Sequence, residues 1–477
     1  MLVTLVACYF AVTICIGFYA ARRVKNSADY LVAGRSLPLY MNTATVFATW
    51  FGAELILAVS STFLKEGLQG VVGDPFGAAF CLIFVALFLA APYYRLKLMT
   101  VGDFYKRRYN RTVELASAAA ISISYLGWSS ANLVALGIVI HTVSGNAITL
   151  EQGIVLGAVI VGVYTLFGGM WSVAFTDLFQ TVIIVAGLIY IAWMLAGMAG
   201  GVDKVVATAQ ASDRLKFFPG ASLHDWLGFI AAFVTMALGS VAQQDVFQRV
   251  TSARTEKIAR QGTLLGGSLY LLMAFIPMFI AVSALLIDPA MVKQMLSNEN
   301  DFQQVLPTLI LQRTPLFAQV LFFGALLSAI LSTASGTLLA PTAVITENVI
   351  QPLWGHKLSD RKMLVLLRLI LIGFTCCVTL FALQSESSMY QMVQDAYKVT
   401  LVAAFTPLVF GMFWRRATPQ GALLSMACGV VAWQYAEHFM ADALVPPQLV
   451  GLGSAIVGMI VGSLAPTLLG GQGHPEI

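Results

Sequence analysis

Runs of about twenty apolar residues recur from one end of the chain to the other, separated by short polar segments. A helix needs about 20 apolar residues to cross the hydrocarbon core of a bilayer. A membrane barrel would instead show alternating strands of about ten residues. The predicted class is therefore an all-α polytopic membrane protein. About 13 transmembrane helices are expected, near 2–21, 38–63, 70–94, 113–142, 148–168, 171–199, 223–248, 262–287, 315–349, 362–384, 388–414, 419–440 and 447–470. Leu5-Val6-Ala7-Cys8 faintly resembles a lipoprotein cleavage box, but no basic segment precedes it, so 1–21 reads as an uncleaved span.

Three of these runs depart from a plain apolar pattern. The stretch 326–348, LLSAILSTASGTLLAPTAVITEN, carries Ser328, Ser332 and Ser335 at helical spacing, with Thr333 beside them. Such a stripe serves close helix packing or, as a set of neutral oxygens, a monovalent cation. The second and seventh spans are interrupted by polar residues. In 42–60 the helix meets Gly52 and then Glu54; in 229–249 it meets Gly239, Ser240 and a polar run. Two broken helices five spans apart enter from opposite sides. That pattern points to inverted repeats with a binding site at the midplane, against the alternative of glycines tolerated by packing.

Composition agrees with a membrane class. Of 477 residues, 58% are hydrophobic and 10% charged, where a soluble domain has about 25% charged residues. The net charge of +4 is read through loop topology rather than as a nucleic-acid footprint. The clusters at 22–35, 95–111, 249–260, 357–368 and 415–416 hold 20 of the 27 lysines and arginines. With thirteen spans all five fall on one side, which predicts the N-terminus outside and the C-terminus in the cytoplasm. The six cysteines, Cys8, Cys15, Cys81, Cys376, Cys377 and Cys428, lie in apolar runs without metal-ligand spacing and are expected to pack the interior. No HExxH or GxSxG motif is present, so an enzyme is not expected. A channel has no need of a coupled ion site, and a sensor needs a signalling module, for which only about seven residues follow the last predicted span.

Ionisable residues at membrane depth are costly and usually functional. The candidates are Glu54, Asp74, Asp177, Asp245, Glu347, Asp395 and Lys398. Asp245 and Glu347 fall near predicted cytoplasmic ends, where a structural role is expected. Asp395 and Lys398, three apart on a helix, are expected to pair. Asp74 precedes Pro75 as a helix-start acid does. Asp177 is deeper, has no cation nearby in sequence and is the best candidate for a functional acid. Trp50 and Trp128 sit mid-span rather than at an interface, so core packing or the holding of an organic cation is expected of them.

Several segments in order resemble the sodium:solute symporter family. They are AGRSLP (33–38), GDFYKRRY (102–109), GGMWSVAFTDLFQ (168–180), FQRV (247–250) and the hydroxyl-bearing stretch 325–348. The resemblance implies a LeuT-type fold of two inverted five-helix repeats. It divides the chain into a first span and loop (1–37), repeat one (38–199), an external loop (200–222), repeat two (223–418) and two further spans (419–477). It implies a shared sodium site from the backbone oxygens of Ala48, Phe51 and Ala329 and the hydroxyls of Ser332 and Thr333. A second sodium site would use Asp177, Ser332, Ser335 and the next residue, which here is Gly336. Trp50 and Trp128 resemble the choline-transporting branch. That branch has a further tryptophan where this chain has Gln243, and the proline-transporting branch has an aspartate at Trp50.

The expectation is a multi-pass symporter of the cell membrane, with Na⁺ as coupling ion and a small polar organic solute as partner. An amine or amino acid is favoured, with Trp50, Glu54, Asp74, Trp128, Gln243 and Gln244 at the solute; the alternative is a sugar or carboxylate symporter, a transporter-like sensor or a channel.

Overall fold

A computed structural model describes residues 2–297, 302–354, 358–385, 387–440 and 443–465. Lys357, counted above among the cytoplasmic cations, the last residues of the final predicted span and the tail after it lie outside these. The regular structure among the described residues is helical, apart from one parallel bridge between Leu37 and Ala253.

The helices follow the apolar runs. They are α1 (Leu2–Ala21), α2 (Leu39–Trp50), α3 (a π turn at Glu54–Val59 continued by Ser60–Gly70), α4 (Val72–Leu96), α5 (Val101–Arg108), α6 (Arg111–Val143), α7 (Leu150–Ala199) and α8 (Leu223–Ala242). Beyond them come α9 (Gln244–Thr251), α10 (Glu256–Ile287), α11 (Leu316–Trp354), α12 (Asp360–Gln384), α13 (Met389–Phe413), α14 (Pro419–Phe439) and α15 (Pro447–Leu464). Among the described residues ten helices are long and apolar enough to cross a membrane, and eleven if the bent pair α2–α3 is one span.

The stretch 168–180, GGMWSVAFTDLFQ, is where α7 breaks. Straight, its 50 residues would reach about 75 Å, more than twice the hydrocarbon core of about 30 Å. Gly169 interrupts it with φ +49° and ψ −140°, a conformation open to glycine and costly to other residues. A side chain there would also collide with the carbonyl of Tyr30. Just past the break, Ser172 donates to the carbonyl of Gly17 at 2.6 Å and so fastens α1 to α7.

Helix α11 is the axis of the bundle. Every residue from Ala325 to Val344 is buried, as expected of a span apolar all round and packed on all sides. By contrast α1 buries only Thr13, Gly17 and Ala20, a single stripe, and turns the rest of its apolar surface outward. The cysteines are a correction to the expectation of packing. Only Cys81 is buried; Cys8, Cys15, Cys376 and Cys377 are exposed. In a membrane span an apolar thiol is as compatible with lipid as with the protein core, so apolar flanks do not tell the two apart.

On the side of α3 remote from α2, the segment after α7 is not all loop. It forms a helix at Val202–Ala211 and then folds over α3. Arg214 donates from Nε to the carbonyl of Leu64 at 3.0 Å and accepts from the amide of Leu68 at 2.8 Å.

Candidate ion and solute sites

The break between α2 and α3 starts at Phe51, whose ψ of 71° leaves the helical range. The two halves meet at 52°. In an unbroken helix the Gly52 amide would serve the carbonyl of Ala48; here it bonds the carbonyl of Trp50 at 2.9 Å. The opposite wall is α11, and Gly52 lets it come close. A Cβ on Gly52 would lie 2.7 Å from Thr333 Oγ1. That hydroxyl is buried and has no hydrogen-bond partner within the protein. A buried hydroxyl left unpaired is costly, so Thr333 marks a place where an additional polar group fits. Freed carbonyls and neutral hydroxyls suit a hard monovalent cation. No group of three or more His, Cys, Asp or Glu with metal-holding geometry occurs among the described residues.

One helical position away, Ser332 Oγ donates to Asp177 Oδ1 at 2.6 Å, and Thr45 Oγ1 donates to Asp177 Oδ2 at 2.5 Å. Asp177 is fully buried. This carboxylate therefore ties α7 to both α2 and α11 beside the break. Ser335, expected with it, bonds back to the carbonyl of Ser332 in its own helix at 2.9 Å. Ser328, first of the stripe, pairs with Tyr9 of α1 at 2.6 Å. The stripe thus serves helix packing at Ser328 and faces Asp177 and the break at Ser332 and Thr333.

Trp50 ends α2 at the break, and its ring centroid lies 5.8 Å from Trp128 of α6. Tyr397 of α13 closes the group, 6.3 Å from Trp50 and 5.6 Å from Trp128. All three are buried. Asp245 fixes the cluster from α9, accepting from Trp50 Nε1 at 3.2 Å and from the Tyr125 hydroxyl at 2.5 Å. Sequence position alone put Asp245 near a cytoplasmic end; the chain turns at Gln243, where ψ is 141°, and the side chain of Asp245 meets Trp50 at the other break. Tyr397 was not foreseen either. It lies between Asp395 and Lys398, which do pair at 2.9 Å, but on the opposite face of α13, and its hydroxyl is buried without a partner.

The other expected solute residues separate into two groups. Glu54 starts α3 with a buried, unpartnered Oε1, close enough to Asp74 for their charges to interact; Asp74 accepts from the hydroxyl of Tyr270. Gln243 stays near the aromatic cluster but is occupied, donating to Ser124 Oγ at 3.0 Å and Thr400 Oγ1 at 3.4 Å. Gln244 points elsewhere. Its Oε1 accepts from the amide of Val101 at 2.7 Å and its Nε2 donates to the carbonyl of Met99 at 3.3 Å, so it anchors α5 rather than joining the aromatic rings.

Broken helices at two places in the chain are a feature of transporter folds, and comparison with known proteins agrees. The profile of the Sodium:solute symporter family matches residues 30–429. The chain belongs to that family. Relatives include the high-affinity choline transporter 1 of Drosophila melanogaster, 24% identical over 82% of this chain and 64% of its own length. The high-affinity proline transporter PutP of Bacillus subtilis is 26% identical over 88% of this chain and 89% of its own. The sodium/proline symporter of Staphylococcus aureus is 26% identical over 90% and 85%. Among solved structures, a Na⁺-coupled sialic acid symporter in a substrate-bound outward-open state superposes with a TM-score of 0.82 at 18% identity, over 98% of both chains. Mhp1, a nucleobase-cation-symport-1 family transporter, gives 0.61 at 13% identity over 90% of this chain and 93% of that one. These likenesses identify a LeuT-like transporter fold and a multi-pass membrane transporter rather than an enzyme.

Proposed function

We propose that this protein is a Na⁺-coupled symporter of the cell membrane that imports a small solute bearing an ammonium group. The observation that carries the coupling ion is the unpartnered Thr333 hydroxyl packed against Gly52, whose amide no longer serves the carbonyl of Ala48. Na⁺ binds there between α2 and α11, with Phe51, Ala329 and Ser332 supplying the remaining oxygens, and draws the two helices together. The same break carries Trp50, so ion and solute share one element. Binding either one orders it for the other.

For the solute, three buried rings give π faces and the carboxyl groups of Asp245, Glu54 and Asp74 give acceptor oxygens. That combination suits a cationic nitrogen. Printed names among the relatives include both choline and proline transporters, and both solutes carry such a nitrogen. The topology belongs to the same proposal. Counting α7 as two spans across Gly169, α2–α3 as one broken span and α14 as another brings the total to thirteen, N-out and C-in, with inverted repeats over 38–199 and 223–418. The test is uptake of labelled choline and proline, beside a sugar and a dicarboxylate, into proteoliposomes with and without an inward Na⁺ gradient. The expected result is Na⁺-dependent accumulation of an ammonium solute. Uptake of any solute that is unchanged when K⁺ replaces Na⁺ would sink the coupling.

A further inference from the structure

Helix α10 carries all of its charges, Glu256, Lys257 and Arg260, in its first two turns. Its 32 residues reach about 48 Å, against a hydrocarbon core of about 30 Å. The charged end therefore stands at the level of the lipid headgroups. There Arg95 of α4 clasps Glu256, Nε donating to Oε2 and Nη2 to Oε1, both at 2.8 Å. Deeper in the membrane the same two helices touch at Gly267, where an added Cβ would lie 2.7 Å from Leu82 Cβ.

Between these two contacts runs an open groove of about 580 Å³, room for a headgroup and the start of a chain. Its outer end is polar, with Lys257, Arg260 and Gln261, and its inner end apolar, with Ala86, Leu87 and Leu264. Lys257, Arg260, Gln261 and Leu264 follow one another at i, i+3, i+4 and i+7, a single stripe along the helix. All four are exposed. Glu256 is neutralised by Arg95, whereas neither Lys257 nor Arg260 forms an ion pair among the described residues. The groove thus presents two uncompensated cations, then an amide, then apolar side chains about 10 Å deeper. An anionic phospholipid has the same order of phosphate, glycerol ester and acyl chain. A guanidinium meets phosphate oxygens in a charge-assisted, bidentate fashion. A zwitterionic lipid would bring its own ammonium against Lys257 and Arg260.

We propose that the groove between α4 and α10 is a binding site for a phospholipid of net negative charge, its phosphate on Lys257 and Arg260 and an acyl chain on Leu87 and Leu264. The site stands whatever solute is carried. The test equilibrates the purified full-length protein with micelles holding equal amounts of phosphatidylglycerol and phosphatidylcholine, and counts the lipids each chain retains by native mass spectrometry. Two cations facing the headgroup should favour phosphatidylglycerol at this site by about thirtyfold. Lys257→Gln/Arg260→Gln should retain one phosphatidylglycerol fewer than the wild type. Gln261→Trp, which fills the groove and keeps both cations, should lose the same lipid. Arg415→Gln/Arg416→Gln, at two exposed cations elsewhere, should keep it. Equal retention of the two lipids by the wild type, or an unchanged count in Lys257→Gln/Arg260→Gln, overturns the site. So does an equal loss in Arg415→Gln/Arg416→Gln, or a lipid that survives Gln261→Trp, since surface charge alone would then hold it.

Discussion

The two broken helices differ in what becomes of the polar groups that each break frees. At α2–α3 the Ala48 carbonyl loses its usual donor and the facing Thr333 hydroxyl has no partner. At α8–α9 the residue at the break, Gln243, bonds Ser124 and Thr400, and the next, Gln244, bonds Val101 and Met99. One break leaves a buried hydroxyl unsatisfied, at the place proposed for Na⁺, and at the other the side chains beside the break are bonded within the protein. A helix break alone does not make an ion site. Buried oxygens that nothing else satisfies make one.

The largest effect should come from closing the open break. Gly52→Ala places a methyl 2.7 Å from Thr333 Oγ1. Half-saturating Na⁺ for uptake should rise by about a hundredfold or more, equivalent to about 3 kcal/mol of ion binding. Gln243→Ala, at the closed break, should leave half-saturating Na⁺ within about twofold of the wild type. Equal shifts in the two variants would erase the distinction between the breaks.

The next effect tests what the aromatic cluster holds. Loss of a desolvated cation–π contact is worth about 2 kcal/mol, roughly thirtyfold in affinity. Trp128→Leu should weaken binding of an ammonium solute by that factor, and Trp128→Phe, which keeps a π face, by much less. If Phe and Leu behave alike, the rings only pack. Half-saturating Na⁺ at saturating solute should move little in either variant, since Trp128 faces the rings and not the Thr333 side of the break.

Much of the architecture was legible because membrane spans are set by composition and length, which survive any packing arrangement. The apolar runs, the two interruptions and the pair Asp395–Lys398 needed only local spacing. The site was legible in part. Asp177 and the Ser332–Thr333 pair were singled out because a lone buried acid and a hydroxyl stripe are unusual in an apolar run. Asp245 was expected in a structural role; its bonds to Trp50 and Tyr125 could not be read from the sequence, because they depend on α9 not continuing α8. Tyr397 gave no signal at all: a tyrosine between a lysine and an aspartate reads as surface until the helix face is known. Gln244 was grouped with Gln243 by adjacency, yet the backbone is extended at Gln243 and helical from Gln244 on, so the two side chains part.

A smaller effect divides the stripe itself. Thr333→Ala removes an oxygen that nothing else in the protein uses and should raise half-saturating Na⁺ about tenfold, for about 1.4 kcal/mol. Ser328→Ala removes a hydroxyl already paired with Tyr9 and should lower thermal stability without changing the Na⁺ dependence. Na⁺ titrations of uptake, with melting curves of the same preparations, distinguish an ion ligand from a packing contact five residues away.

The smallest effect on transport should come from Gln244→Leu. The amide of Val101 is the first of α5 and has no carbonyl within its own helix to bond; Gln244 Oε1 supplies its acceptor at 2.7 Å. Leucine keeps the bulk but leaves that buried amide unpaired, which costs about 1–3 kcal/mol of stability. The loss falls on the attachment of α5 to α9, away from Thr333 and the rings. The melting temperature in detergent should drop, while half-saturating Na⁺ and solute stay within about twofold of the wild type. Solute affinity reduced tenfold at an unchanged melting temperature would put Gln244 at the solute after all. In that case the second break would be open like the first, with both broken helices contributing free polar groups to transport.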